Sequence, residues 1–209
     1  MIKTILWDFD GVILDSMKIR DLGFVVIFKN YPKNLVDKLL DYHNENGGLS
    51  RYIKIKYFYN ELLGKEITQE RIQEYADAFS KVMLEKLGDK NLLINNSVDF
   101  IIKNYKNYNF HIVSGSDGKE LNILCKRLDI AQYFLTIQGS PTHKNKLVQD
   151  LMSQNSYDTK ETCLIGDSIN DYNAADNSDI YFLAFNNDSL NTYSNLPVSD
   201  KELINVEYK

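Results

Sequence analysis

Cysteine is scarce in this chain of 209 residues: the two present, Cys125 and Cys163, each stand alone inside an apolar pattern. That isolation suits reduced core thiols better than a disulfide or a metal knuckle. Long apolar runs are missing as well. The longest, "IYFLAF" at 180–185, is far below the roughly 20 residues a membrane-spanning helix requires, so no membrane partner is expected. Excess positive charge is also lacking: the net charge is −5 and the pI near 5.3, which leaves no electrostatic footprint for a nucleic-acid binder. The opening "MIKTILWDFDG" has no small-residue cleavage site of a secretory signal, and a cytoplasmic location is expected.

Repeats and low-complexity tracts are absent and proline is rare, at three residues, so the organisation has to be read from periodicity. With 44% hydrophobic and 25% charged residues, the composition is that of an ordinary folded protein. Five short apolar runs read as strands: "IKTILW" at 2–7, "FHIVSG" at 110–115, "FLTIQG" at 134–139, "CLIGD" at 163–167 and "IYFLAF" at 180–185. Runs that are apolar throughout, with helical patterns between them, indicate a parallel sheet covered on both faces. Ser97 is a candidate N-cap for one connecting helix, a second follows "SGSDG", a third starts near residue 144, and a fourth opens after Asp167. Residues 16–90 carry no strand pattern. Helix periodicity dominates there, most visibly in Ile72, Tyr75, Ala76, Phe79, Met83 and Leu87, with Thr68 as N-cap and Gly88 at the end. The expected fold is α/β: a Rossmann-like parallel core from residues 1–15 and 91–209 with an inserted all-helical domain at 16–90. Asn186 to Lys209 reads as a short helix or a loose tail.

Polar residues collect at the strand ends, which is where open parallel sheets bind ligands. Asp8 and Asp10 close the first strand, Ser114 the second, Lys144 follows the third, and Asp167 with Asp171 closes the fourth. Two carboxylates two residues apart raise each other's cost of ionisation unless something positive lies between them. Convergent carboxylates suit a hard, oxygen-liganded divalent cation, most simply Mg²⁺. With that charge offset, Asp8 can attack phosphorus while Asp10 carries a proton. Ser114 and Lys144 can hold the transferring oxygens.

Together "DFDGVILDS", "IVSGS", "GSPTHK" and "LIGDSINDYNAA" resemble the four motifs of the haloacid dehalogenase superfamily, in order and along essentially the whole chain. The helical insert resembles the small cap of the branch containing phosphoglycolate phosphatase and β-phosphoglucomutase. The resemblance implies an aspartyl-phosphate mechanism, with Asp8 as nucleophile and Asp10 as acid/base, its carbonyl also a metal ligand. Asp167 becomes the acidic metal ligand, and Asp171 a supporting one or the residue that orients Lys144. Gly11, Ser114, Gly115 and Lys144 would hold the phosphoryl group. The loop "GGLSR" at 47–51 would dip toward the substrate, making Arg51 a contact for its non-reacting part.

The implied activity is a Mg²⁺-dependent phosphatase acting on a small phosphorylated metabolite, a sugar phosphate or phosphoglycolate, as a monomer or homodimer. A phosphomutase shares every motif, and a non-catalytic module that binds such metabolites is the rival from another class. The dehalogenase branch lacks the second aspartate, present here as Asp10. A phosphonatase needs a Schiff-base lysine in its cap, and the sequence marks neither Lys54 nor Lys56 as one. Three ambiguities stay open. Lys146 competes with Lys144, the run Arg51, Lys54 and Lys56 also reads as a solvated helix face, and His43, His111 and His143 read as packed or surface histidines.

Overall fold

A computed structural model describes residues 1–197, 199 and 200. Its five strands are β1 (Thr4–Trp7), β2 (Asn109–Asp117), β3 (Thr136–Ser140), β4 (Thr162–Gly166) and β5 (Tyr181–Ala184). They form one sheet in the order β3-β2-β1-β4-β5, every neighbouring pair parallel. Central β1 and β4 are buried at every position, whereas edge strands β3 and β5 are mostly half-buried. This is why their sequences are nearly continuous apolar runs: both faces are covered.

Alternation along β1 splits the core. Ile5 and Trp7 join Phe110, Ile112, Leu124 and Ile165 on one face, while Leu6 joins Val113, Val148, Leu151, Leu164 and Phe182 on the other. The connecting helices are α5 (Asn95–Asn104), α6 (Gly118–Arg127), α7 (Lys144–Asn155) and α8 (Ile169–Asp176). Ser97 does not cap α5. Ile94 holds that position, and the buried Ser97 hydroxyl donates to the Val12 carbonyl at 2.6 Å, because a Ser inside a first turn is free to bond elsewhere when another segment lies against it.

Between β1 and β2 the chain is helical: α1 (Met17–Ile27), α2 (Lys33–Glu45), α3 (Arg51–Tyr57), a π-helical turn at Phe58–Leu62, and α4 (Gln69–Lys86). Thr68 caps α4 by accepting from the Arg71 amide. Helix α1 lies so close to α4 that a Cβ on Gly23 would come within 2.6 Å of Phe79. The Phe28 and Phe58 rings stack at 4.0 Å, and the hydroxyls of Tyr31, Tyr59 and Tyr75 bond to one another. The two crossings are tied together: the Asp15 amide donates to the Leu92 carbonyl at 2.8 Å and the Ile94 amide to the Ile13 carbonyl at 2.9 Å. Buried residues of the insert, such as Phe24 and Met83, and of the sheet, such as Trp7, belong to one continuous apolar cluster. No helix among the described residues is long and apolar enough to cross a membrane.

Beyond β5, Asp188–Tyr193 forms a 3₁₀ turn whose Leu190 is buried, and Asn195 accepts from the Phe182 amide. The start of the polar C-terminal segment is thus packed on the sheet, and the expectation for residues 201–209 lies outside the described residues.

Candidate active site

Register alone gathers the motifs. Trp7 stands opposite Ile112 on one side and Ile165 on the other, so Asp8, one residue further, is flanked by Ser114 and Asp167, each two residues past its partner. Helix α8 then starts at Ile169 with Ser168 as N-cap, not at Asp167, and Asp171 closes a capping box by accepting from the Ser168 amide at 3.0 Å. One ligand oxygen from each of Asp8, Asp167 and Asp171 lies within 4.8 Å of the others.

Lys144, the first residue of α7 and 4% exposed, spans this group. Its ammonium donates to Asp8 Oδ1 at 2.7 Å and to Asp171 Oδ1. Lys146 points away, largely exposed, and pairs with Asp150. Burial, together with the charge of Asp171, pushes the Asp8 carboxyl up to about 7 despite Lys144. Burial and the charges of Asp8 and Asp171 raise Asp167 as well. The three carboxylates therefore share a single ammonium, and an excess of negative oxygen is left facing one point. That donor set, all oxygen and compact, fits a divalent cation such as Mg²⁺. Gly11 lets Asp167 approach: its φ is +78°, and a Cβ there would lie 2.0 Å from Asp167 Oδ2.

Asp10 is held apart from that cluster. Its Oδ1 accepts from Ser16 Oγ at 2.5 Å and from Arg20 Nε at 2.9 Å, and its Oδ2 from Ser116 Oγ at 2.5 Å. Burial would raise its pKa, but the Arg20 guanidinium and the two hydroxyls outweigh that and hold it below the usual carboxylate range. Ser114, 1% exposed, accepts the Ser116 amide at its Oγ. Gly115 carries no side chain because the loop above it leaves no room: a Cβ would sit 2.0 Å from the Gly48 carbonyl oxygen. That loop is pinned from the other side by Asn170, whose amide donates to the Gly47 carbonyl at 2.5 Å.

A cavity lies between these groups and the insert, with Asp8, Asp10, Ser114 and Asp167 on the sheet side and Arg20, Arg51 and Lys54 on the helical side. Arg51 and Lys54 are buried, at 4% and 2% exposure, so they are no solvated face, whereas Lys56 is exposed. Arg51 Nη1 donates to Ser80 Oγ at 2.7 Å and lies 2.6 Å from Glu120 Oε2. His43 and His111 are buried, and exposed His143 caps α7. Sequence reasoning passed over Arg20 and Glu120. Arg20 lies one helical turn after Ser16, which places both beside Asp10, but nothing in the sequence signals that Glu120, 100 residues away, joins Arg20 at 2.5 Å.

The chain belongs to the haloacid dehalogenase-like hydrolases, whose family model matches residues 5–185. Solved structures similar to it include β-phosphoglucomutase from Clostridium difficile, with a TM-score of 0.75 at 16% identity, covering 98% of either chain. CbbY from Rhodobacter sphaeroides, solved in complex with xylulose-1,5-bisphosphate, has a TM-score of 0.72 at 14% identity, covering 90% of this chain and 89% of that one. The HAD-hydrolase YfnB from Bacillus subtilis, bound to magnesium, has a TM-score of 0.61 at 18% identity, covering 88% and 87%. Identities this low establish the shared fold. No curated protein matches the chain.

Proposed function

We propose that the chain is a Mg²⁺-dependent phosphatase of small phosphorylated metabolites, working through phosphorylation of Asp8. The observation that carries this reading is the buried Lys144 ammonium bridging Asp8 and Asp171 while Asp167 closes on the same point. A structural ion pair needs one carboxylate, and three around one lysine at the end of a central strand is an arrangement that gains only from a further cation and a phosphoryl oxygen. Asp8, the Asp10 carbonyl, Asp167 and Asp171 would hold the magnesium, which supplies positive charge where the carboxylates and the phosphoryl oxygens meet.

In the first half-reaction an Asp8 oxygen forms a bond to phosphorus as the ester P–O bond breaks, and the departing oxygen takes a proton from Asp10, which reacts from the fraction of molecules in which this carboxyl, held ionised at rest by Arg20, Ser16 and Ser116, is protonated. In the second, water attacks phosphorus, Asp10 takes a proton from it, and the Asp8 carboxylate and inorganic phosphate are released. Atoms and protons balance over the cycle. In this reading Lys144 and the Ser114 hydroxyl donate to the transferring oxygens, in a site shielded from water. Residues 16–90 act in this reading as a cap over a core of residues 1–15 and 91–209. The two buried, unpaired cysteines support a reducing compartment and hence the cytoplasm.

The same groups serve a phosphomutase if a sugar hydroxyl replaces water, and the likeness to β-phosphoglucomutase favours keeping that reading. Phosphorus NMR separates the two: release of inorganic phosphate marks the phosphatase, and conserved phosphoester the mutase. Turnover of p-nitrophenyl phosphate is expected to depend on Mg²⁺, to stop with EDTA and to vanish in Asp8→Asn. Wild-type turnover by that variant would refute the mechanism.

A further inference from the structure

Among the described residues, every cation around the cavity but one is already matched by acids. Lys144 is held by Asp8 and Asp171. Arg51 is locked against Glu120 and Ser80, its guanidinium stacked 4.4 Å over the Phe79 ring, so the residue expected to reach the substrate is occupied in fixing the insert to the core. Arg20 bonds Asp10 through Nε and Glu120 through Nη1, but its Nη2 is buried without a hydrogen-bond partner.

Lys54 differs from all of these. It is 2% exposed and lines the cavity, yet among the described residues no carboxylate forms an ion pair with it. Its ammonium contacts His43 Nδ1 at 2.6 Å and the His43 carbonyl at 3.5 Å. His43, driven down to about 3 by burial and by Lys54 itself, is neutral and no counter-ion. Burial pulls the Lys54 ammonium down to about 7, a fall that Asp10 and Asp21 resist only through space and that Arg20 adds to. A buried lysine with no counter-ion holds its charge at a cost that an arriving anion would offset.

We infer that Lys54, with the unpartnered Nη2 edge of Arg20, forms a subsite for a second anionic group on the substrate. The substrates are then phosphate esters that also carry a carboxylate or a second phosphate. The inference rests on the phosphatase reading for the reacting end and adds the recognition of the far end. It assigns to Lys54 a role the sequence had suggested for Arg51. Both ride on α3, but Arg51 is paired with Glu120, whereas Lys54 is paired with no acid among the described residues.

The test compares three probes of similar size: ethyl phosphate with one anionic group, O-phosphoglycolate with an added carboxylate, and ethanediol bisphosphate with an added phosphate. Calorimetric titration of Asp8→Asn in magnesium buffer reads binding without turnover. At least one doubly anionic probe is expected to bind about 10- to 100-fold more tightly than ethyl phosphate, the range for a hydrogen bond to a charged group. Which of the two does so identifies the second group.

Adding Lys54→Met should bring that preference down to about threefold or less, since what remains is unspecific charge attraction. If circular dichroism shows Lys54→Met unfolded, Lys54→Gln, close in length and polar, takes its place. Equal binding of all three probes overturns the inference. So does a preference that survives loss of Lys54, or an equal loss of affinity for all three. Absence of turnover by the wild-type chain with every probe would refute the phosphatase reading separately, leaving the binding comparison intact.

Discussion

Arg20 holds Asp10 by a charged hydrogen bond from Nε to Oδ1 at 2.9 Å, reaching from the helical insert to the acid two residues past Asp8. Both side chains are largely buried, with Arg20 at 5% and Asp10 at 17% side-chain exposure. The insert therefore does more than cover the site: one of its residues sets the proton affinity of the proposed acid/base.

Replacing Arg20 with Met removes the cation that outweighs burial at Asp10, so the Asp10 pKa rises. If proton donation to the leaving group limits turnover, activity falls as pH rises through that pKa, and the fall should move to higher pH. Loss of the positioning bond should lower kcat by about 10- to 100-fold. A pH–rate profile checks the direction, and partial recovery in Arg20→Lys distinguishes charge from packing. An unmoved profile would show that Arg20 only fills space.

Glu120, 1% exposed, faces the guanidiniums of both Arg20 and Arg51. Glu120→Gln leaves buried Arg51 without its acid partner and Arg20 with Asp10 alone, at a cost of about 3–5 kcal/mol. Urea unfolding should show this as a lowered midpoint with an unchanged slope. A stability loss below about 1 kcal/mol would mean that water or another acid replaces it.

Gly11→Ala combines a left-handed backbone at φ +78° with a Cβ placed 2.0 Å from Asp167 Oδ2. The backbone conformation alone should cost about 1–3 kcal/mol. Because the new methyl displaces Asp167, the Mg²⁺ concentration for half-maximal activity should rise as well. Unchanged Mg²⁺ dependence would place Asp167 outside the ion's reach.

In metal-free protein the Asp8 carboxyl should take stability away as pH rises from about 4 to about 7, and comparison with Asp8→Asn isolates it from buried His43 and His111, whose lowered pKa values act the other way in the same window. Asp8 has a folded-state pKa near 7 against 3.8 for the free side chain, so within that window this group binds more protons in the folded chain than in the unfolded one, and its contribution to stability falls with rising pH. Asp167 is displaced in the same direction. Asp10 acts oppositely: its depressed pKa contributes stability above the free-carboxyl range that is lost only as pH falls through its own folded-state value. Mg²⁺ should therefore raise the melting temperature more at pH 7 than at pH 5, as thermal denaturation with and without EDTA can show.

The strands and the acids at their ends were legible because a parallel strand buried on both faces must be apolar and then stop at a polar residue, as at Trp7–Asp8 and Gly166–Asp167. The choice between Lys144 and Lys146 was not legible. It depends on where α7 begins, since residues two apart point to opposite sides of a helix. Lys54 was hidden by its neighbours: Arg51, Lys54 and Lys56 read as a charge run, yet Arg51 and Lys54, three apart, share the buried side of α3. The pairing of Arg20 with Glu120 spans 100 residues and two elements, and only tertiary packing creates it.

The covalent step at Asp8 is tested most directly by acid-quenching the enzyme during turnover of a phosphate ester labelled at phosphorus, then digesting it and locating the label. The account predicts a hydroxylamine-sensitive acyl phosphate on Asp8, absent in Asp8→Asn. Label on Asp10, or steady turnover with no label bound to protein at any quench time, would contradict it.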